Sequence, residues 1–276
     1  MNTLHTLSPV LLGYESIPAV SQRPPQGSGI PPQLTEIYDR HVAALTAKVA
    51  AGHIFDGPVA VLRGWHTSEK QLHLEIQPST YVPMTATRLT YVEALSSGIL
   101  SEADIPSIPE LFGACLCACV AVITHDNQVL TMRRAVTMSN PGTVALGLGE
   151  VLECSDFEAG SQSLQAAGAR AVREELGVRL TPEQASQFVR PLVLARGDAC
   201  GTWVFIIAVD LREAGESFRA SRILANAQSA TDAWESDLRQ AIPFTRPSLE
   251  SFLQDNEGRL GHWAPELVPL LISELG

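Results

Sequence analysis

The chain has 276 residues, of which 45% are hydrophobic and 18% charged, and it carries a formal net charge of −11 at pH 7. A chain of this length can bury a full core as one large domain or two modest ones. The acidic balance, with no cluster of Lys and Arg, argues against nucleic acid or an anionic membrane as a partner. The longest apolar run, residues 114–123, is far shorter than the roughly 20 residues that span a bilayer. With no visible signal peptide, we expect a cytoplasmic protein.

Residues 1–109 predict a small α+β accessory domain that follows a lead, residues 1–33, rich in Pro, Gly and Ser. Apolar residues then recur at helical spacing as far as Gly52, and two strand-like runs follow with a hairpin connection between them. The predicted elements are a helix over 34–49, strands over 59–64 and 71–76, and a helix around 90–97.

Residues 110–276 predict a larger domain with long apolar strands and one strong helix. The Asp126-Asn127 pair favours the left-handed backbone of a tight hairpin between two strands. Gly177 is placed as the C-terminal stop of a helix that begins near Ser161. The predicted elements are strands over 115–124, 129–134 and 203–209, a glycine-interrupted apolar segment over 144–152, a polar loop over 153–160, and helices over 161–176, 232–240, 248–254 and 265–275.

The last turn of the helix over 161–176 concentrates charge. Side chains three and four positions apart share a helix face, so position 171 lies beside Glu174 and Glu175, while Arg170 lies beside Arg173 and Glu174. Neighbouring carboxylates at the negative end of a helix dipole cost some tenths of a kcal/mol each unless cations compensate. The residues alone leave two interpretations open, a metal site or an ordinary solvated helix end.

The segment from Arg170 to Val178 resembles the Nudix box, whose pattern is Gly, five residues, Glu, seven residues, Arg-Glu, aliphatic, any residue, Glu-Glu, any residue, Gly, aliphatic. In this register Asp156, Gln162 and Ala171 replace the first Gly, the first Glu and the Glu after Arg, so the box is degenerate. The resemblance covers residues 113 to about 260. It implies a Nudix-type α/β/α sandwich with a mixed sheet.

The resemblance also implies a metal site. The carbonyl of Gly149 and the carboxylates of Glu174 and Glu175 would hold Mg²⁺, with Mn²⁺ as an alternative ion. Arg170 would hold these ligands in place. Because Gln162 occupies the acidic position, Glu158 or Glu153 would have to pair with that arginine. Residues 154–160 are interpreted as an insertion in the loop.

Further residues are assigned to catalysis and substrate binding. Ala171 offers no carboxylate, so the general base is predicted on a later loop at Glu235, with Asp237, Glu213 and Glu216 behind it. Arg133 and Arg134 end a strand, and alternation directs at most one of them toward a substrate phosphate. Arg134 is the preferred candidate.

The N-terminal part resembles the extra domain of UDP-glucose-type Nudix pyrophosphatases, through residues 54–62, 72–76 and 79–81. The resemblance implies a magnesium-dependent pyrophosphohydrolase that cleaves a UDP-sugar, ADP-ribose or an NAD-like dinucleotide. The products would be a nucleoside monophosphate and a phosphorylated partner. Two alternatives stay open: a nucleotide-binding or regulatory module without turnover, and a biosynthetic enzyme acting on an unusual pyrophosphate. Assembly as a homodimer is compatible with the sequence.

Overall fold

The computed structural model describes residues 10–11, 19–22, 30–68, 71–101, 103–104, 114–135, 142–158, 163–197, 202–261 and 264–275. Its contacts divide the chain into two compact units. Unit 1 comprises Met1–Cys117, Val151–Ser163 and Val193–Phe205, and unit 2 comprises Ala118–Glu150, Leu164–Leu192 and Ile206–Gly276. Most of the predicted lead over 1–33 lies outside the described residues. The division into an accessory domain over 1–109 and a catalytic domain over 110–276 stays a prediction.

Unit 1 pairs two helices with a mixed set of strands. Its elements are β1 (Val10–Leu11), β2 (Ala19–Gln22), α1 (Thr35–Ala50), β3 (Pro58–Ser68), β4 (Gln71–Thr80), α2 (Tyr81–Ser96) and the first residues of β5 (Ala114–Ile123). β3 and β4 form the predicted antiparallel hairpin, and β2 runs parallel to β4. The predicted first helix is confirmed, and it ends before Gly52, whose φ is +72°.

Helix α2 is longer than predicted: it begins at Tyr81, whereas the sequence indicated a helix only around 90–97. Its first turn is capped from a distance, since the backbone N–H of Val82 donates to Oδ1 of Asp56 at 2.7 Å. Pro83 is tolerated in that turn, where no intrahelical donor is needed. The Thr90 side chain is buried and its hydroxyl donates to the carbonyl of Ala86 at 2.8 Å. Tertiary capping and packing thus override the weak helix propensity of the threonines.

Unit 2 carries the strong helix and the long apolar strands. Its elements after β5 are β6 (Gln128–Arg134), β7 (Val144–Leu146), β8 (Leu148–Val151), α3 (Ser163–Leu176), α4 (Pro182–Phe188), β9 (Val189–Gly197), β10 (Thr202–Asp210), α5 (Ala220–Asn226), β11 (Ser236–Pro243), α6 (Arg246–Asp255) and α7 (Ala264–Leu275). The division into units falls within β5, β8, β9 and β10 and just after the first residue of α3. The predicted hairpin between β5 and β6 is confirmed, and Asn127 has the expected positive φ of +54°.

The predicted helix over 232–240 is wrong. Ala233–Glu235 form one 3₁₀ turn, and β11 then pairs antiparallel with β6, from Ser236 opposite Arg134 to Pro243 opposite Gln128. The register shifts between Ser236 and Leu238. Pairing with a buried strand decides the conformation of this short segment, for which the sequence had predicted a helix.

In two further segments the structure adds detail to the prediction. The predicted polar loop over 153–160 contains a 3₁₀ turn, Cys154–Phe157, in which Phe157 is buried. Gly147 separates β7 from β8 with a φ of +101°, and a Cβ atom there would lie 2.4 Å from the carbonyl oxygen of Val120. Only glycine satisfies both the backbone angle and the close approach.

The predicted α/β class with mixed strand pairing is confirmed. Parallel pairing occurs between β2 and β4, and antiparallel pairing joins β6 to β5, β7 and β11. Within the described part of the chain, no helix is both long and apolar enough to cross a membrane.

Candidate functional site

Helix α3 buries one stripe of its surface, and a carboxylate lies within that stripe. The buried members recur at three- and four-residue spacing and are Leu164, Ala167, Gly168, Ala171, Val172, Glu175 and Leu176. A Cβ atom on Gly168 would lie 2.6 Å from Cγ1 of Val189, so the helix packs closely against its neighbours. Glu175 is only 2% exposed. Carboxylates are almost never this buried without a partner.

Arg170 bridges two carboxylates from different elements. Its Nη1 atom lies 3.0 Å from Oε1 of Glu150 on β8 and 3.0 Å from Oε2 of Glu174, one turn further along α3. The second oxygen of Glu174 accepts a hydrogen bond from Nη2 of Arg173 at 2.6 Å. Arg170 thereby links the strand to the helix, and its role as a positioning residue stays a prediction.

Glu150 is a site residue that the sequence interpretation missed. It takes the acidic place beside Arg170 for which Glu153 or Glu158 had been expected. Burial raises the pKa of Glu150 to about 7, although Arg170 opposes the shift and Glu174 and Glu235 add to it. Its signal in the sequence was an acidic residue directly after Gly149, inside an otherwise apolar segment.

Glu175 faces Arg239 of β11, a second residue that the sequence interpretation missed. Nη2 of Arg239 lies 3.4 Å from Oε2 of Glu175, and the Glu175 side chain is buried while that of Arg239 is 12% exposed. Burial raises the pKa of Glu175 to about 8, and the charges of Glu235 and Glu150 raise it further against the opposing charge of Arg239. One long contact with a guanidinium therefore does not offset the cost of burying this charge.

Glu235 is brought to the same place by the 3₁₀ turn before β11. The backbone N–H of Asp232 donates to the carbonyl of Glu174 at 2.9 Å, which ties the turn to the end of α3. On the other side, the N–H of Ala135 donates to the carbonyl of Glu235 at 2.9 Å. Burial raises the pKa of Glu235, Asp232 adds to the shift, and Arg134 and Arg239 oppose it. We call Glu150, Glu174, Glu175 and Glu235 the carboxylate cluster.

The two predicted phosphate-binding arginines have different surroundings. Nε of Arg133 donates to Oδ1 of Asp237 at 2.7 Å, and both side chains are more than one-third exposed. Arg134 lies against the carboxylate cluster instead, with Nη1 3.7 Å from the place of a Cβ atom on Gly149. Its buried Nε has no hydrogen-bond partner among the described residues.

Ala171 is fully buried in the stripe of α3, so the position that carries a Glu in the Nudix pattern supplies no titratable group here. Gln162, which stands at the first Glu of that pattern, lies outside the described residues. The remaining predicted residues, Gly149, Arg170, Glu174, Glu175 and Glu235, are brought together within unit 2, with Arg134 beside them.

The donor set suits a hard divalent cation in its chemistry. Carboxylate oxygens and a backbone carbonyl are the ligands that Mg²⁺ and Mn²⁺ accept. Buried like charges that raise one another's pKa are the local cost that such a cation offsets. Over the residues that the structure describes, however, no three His, Cys, Asp or Glu side chains are grouped closely enough to hold a metal ion. Both oxygens of Glu174 are bound to arginines instead, so binding a cation requires that Arg170 or Arg173 release an oxygen.

The chain resembles several solved structures at a distance. A bifunctional NMN adenylyltransferase/ADP-ribose pyrophosphatase from Francisella tularensis, solved with AMP and a manganese ion, is 16% identical, with a TM-score of 0.43 over 69% of this chain and 48% of that protein. A NUDIX hydrolase from Alicyclobacillus acidocaldarius is 16% identical, with a TM-score of 0.40 over 58% of this chain and 91% of its own. A MutT/nudix family protein from Enterococcus faecalis is 13% identical, with a TM-score of 0.29 over 44% of this chain and 48% of its own.

The matched region therefore spans about half the length of the Francisella protein. No protein-family model and no curated protein sequence matches the chain. These likenesses are too distant to assign an activity.

Proposed function

We propose that the chain is a divalent-metal-dependent pyrophosphohydrolase of the Nudix type that acts on a nucleoside diphosphate joined to a second group. The observation that carries the proposal is the carboxylate cluster, in which four Glu side chains from β8, α3 and the turn before β11 converge in unit 2. Buried carboxylates that repel one another destabilise the fold, and titratable groups shifted in this way concentrate at functional sites.

Glu174, Glu175 and the carbonyl of Gly149 are the proposed ligands of Mg²⁺, or of Mn²⁺ in its place. When bound, the cation would neutralise the pyrophosphate and lower the pKa of an attacking water. The charge of the bound ion would also favour the ionised forms of Glu150 and Glu175, whose pKa values are raised in the free protein.

Glu235 is the proposed general base. Burial and the charge of Asp232 raise its pKa above the ordinary value, and a carboxylate with a higher pKa is the stronger base. It would take a proton from the water that attacks phosphorus, while the bridging P–O bond breaks and the leaving phosphate keeps the electron pair. Arg170 would act through Glu150 and Glu174 as a positioning residue.

The products would be a nucleoside monophosphate and a phosphorylated partner. UDP-glucose, ADP-ribose and NAD all contain the required bond, and each is a candidate substrate. Turnover of the three should be compared in Mg²⁺, in Mn²⁺ and in chelator. Loss of turnover in chelator and in both Glu174→Gln and Glu175→Gln supports the proposal. Turnover that is unchanged in chelator, or in both variants, would refute it.

The two arginines at the end of β6 provide a matched pair for the substrate-binding role. Arg134 lies beside Gly149 with a buried and unpaired Nε, whereas Arg133 forms an exposed pair with Asp237. We expect Arg134→Gln to raise KM about tenfold, because a bound phosphate loses a charge-assisted hydrogen bond. Arg133→Gln should change KM by less than about twofold, as exposed ion pairs contribute little. Equal effects in steady-state kinetics would remove Arg134 from the proposed site.

A second candidate function is a nucleotide-binding module without turnover. It is favoured by one observation, the occupation of both Glu174 oxygens by Arg170 and Arg173. A module of this kind would bind a nucleoside diphosphate equally well in chelator and in the Glu174→Gln and Glu175→Gln variants, as measured by calorimetry.

A further inference from the structure

An aromatic residue that is exposed to water directly precedes Glu235 of the carboxylate cluster. Trp234 is 59% exposed, and it occupies the middle of the 3₁₀ turn whose last residue is Glu235. Single exposed apolar side chains are common on protein surfaces and need no explanation by themselves. The residues around Trp234, however, hold the backbone of its turn and determine which part of a ligand suits this face.

Asp232 lies close to the polar edge of the indole. Burial and the charge of Glu174 raise the pKa of Asp232, and the indole N–H of Trp234, the only hydrogen-bond donor of that side chain, lowers it. The exposed apolar surface of the indole is the part of the ring that is open to a ligand.

The backbone around the ring is held on both sides. The N–H of Asp232 donates to the carbonyl of Glu174, and Nη1 of Arg239 donates to the carbonyl of Ala233 at 3.1 Å. After the turn, the N–H of Ala135 donates to the carbonyl of Glu235. A turn whose backbone is held in this way loses little conformational freedom when a ligand binds, so more of the contact energy is retained as affinity.

We infer that Trp234 is the stacking surface for the aromatic base of the bound nucleotide. The inference rests on the proposed function for the location of the diphosphate. The neighbouring carboxylates Asp232 and Glu235 repel a phosphate but not a neutral heterocycle, so the base is the part of the ligand that suits this face. Stacking of a base on an aromatic side chain is worth about 1–3 kcal/mol, which corresponds to a change in affinity of about 5- to 150-fold.

Calorimetric binding of AMP and of ribose 5-phosphate, both in Mg²⁺, tests the inference without any need for turnover. We expect Trp234→Ala to weaken AMP binding about tenfold or more and to leave ribose 5-phosphate binding within about twofold. Trp234→Phe should restore part of the AMP affinity, because it keeps an aromatic face. Equal weakening of both ligands, or no weakening of either, would overturn the inference.

Two controls separate this result from other causes. Urea unfolding of Trp234→Ala should match that of the natural chain, since the side chain is mostly exposed. A large loss of stability would show that the side chain packs into the fold and would overturn the inference. Sedimentation should give the same mass for both, and a change in mass would assign Trp234 to an interface between copies and overturn the inference.

If AMP binding follows the expected pattern while no pyrophosphate is hydrolysed, the proposed function fails and the stacking surface stands. If hydrolysis occurs without the pattern, only the stacking surface fails.

Discussion

Two sets of carboxylates in unit 2 experience opposite environments. Asp126 and Asp210, which we call the hairpin-end acids, lie near the turn between β5 and β6. Burial opposes the charge of Asp126, but hydrogen bonds from the N–H of Ala220 and from Thr124 outweigh it and lower the pKa of that carboxyl. Asp210 is buried as well, yet two bonds from Arg212 at 2.9 and 2.8 Å lower its pKa. In the carboxylate cluster, the pKa values of Glu150, Glu175 and Glu235 are all raised.

Ionisation of the hairpin-end acids stabilises the fold, whereas ionisation of Glu150, Glu175 and Glu235 destabilises it. Each hairpin-end acid has several donors and few acidic neighbours, so ionisation favours the native state. The cluster gathers four acids around Arg170 and Arg239, and burial exceeds the compensation. Unfavourable arrangements of this kind are retained where function requires them, and four substitutions test that distinction.

The largest effect is expected from Ala171→Glu, which restores the carboxylate of the Nudix pattern. Ala171 is fully buried and lies one turn before Glu175, so the new charge would lack both water and space. We expect a loss of several kcal/mol in the free energy of unfolding at pH 8, measured by urea denaturation, with no gain in turnover. Ala166→Glu, on the exposed face of the same helix, should change stability by less than about 0.5 kcal/mol. A stable and more active Ala171→Glu would show that the cluster has room for a fifth carboxylate.

Arg170→Leu should have the next largest effect, because it leaves Glu150 and Glu174 facing each other without their shared cation. We expect a loss of about 3 kcal/mol at pH 8 in urea unfolding. The loss should be smaller at pH 5, where Glu150, already raised to a pKa of about 7, is protonated. Arg173→Leu is the control, since its side chain is 53% exposed, and it should cost less than about 1 kcal/mol. Equal losses in the two variants would mean that Arg170 is no more than a surface partner.

Asp210→Asn tests a hairpin-end acid, whose ionised form is expected to stabilise the fold. The pKa of Asp210 is lowered in the folded chain, so its stabilising contribution is present above the unfolded pKa and is lost as pH falls through the folded one. We expect Asp210→Asn to lower the free energy of unfolding by about 2 kcal/mol at pH 7. The difference from the natural chain should begin to shrink as pH falls below about 4 and should disappear only below the lowered pKa of folded Asp210. A pH-independent difference would point to packing rather than charge.

Local patterns in the sequence were sufficient to predict part of the fold and of the candidate site. Asn127 indicated the left-handed residue of the hairpin, and Gly177, with a φ of +65°, indicated the end of α3. Glu175 carried a signal of its own, because it is an acidic residue within the apolar stripe of an amphipathic helix.

The remaining features depend on contacts between residues far apart in the chain. The partnership of Glu150 with Arg170 spans 20 positions, and the cap that Asp56 provides to α2 spans 26. Arg239 was assigned to a helix, and its contact with Glu175 follows only from the pairing of β11 with β6. Distant pairing of this kind has no periodicity along the sequence from which it could be read.

The most direct test of the carboxylate cluster is to measure stability and turnover on one preparation of Glu175→Gln. Between about pH 4.5 and about 8 the native chain holds a proton on Glu175 that the unfolded chain has released, so the free energy of unfolding falls as pH rises. The amide has no such proton, so in chelator we predict a gain of about 2 kcal/mol at pH 8 and little change at pH 5. Turnover in Mg²⁺ should fall by about 10²-fold or more. A variant that is less stable at pH 8 and still active would contradict the claim that the cluster sacrifices stability for catalysis.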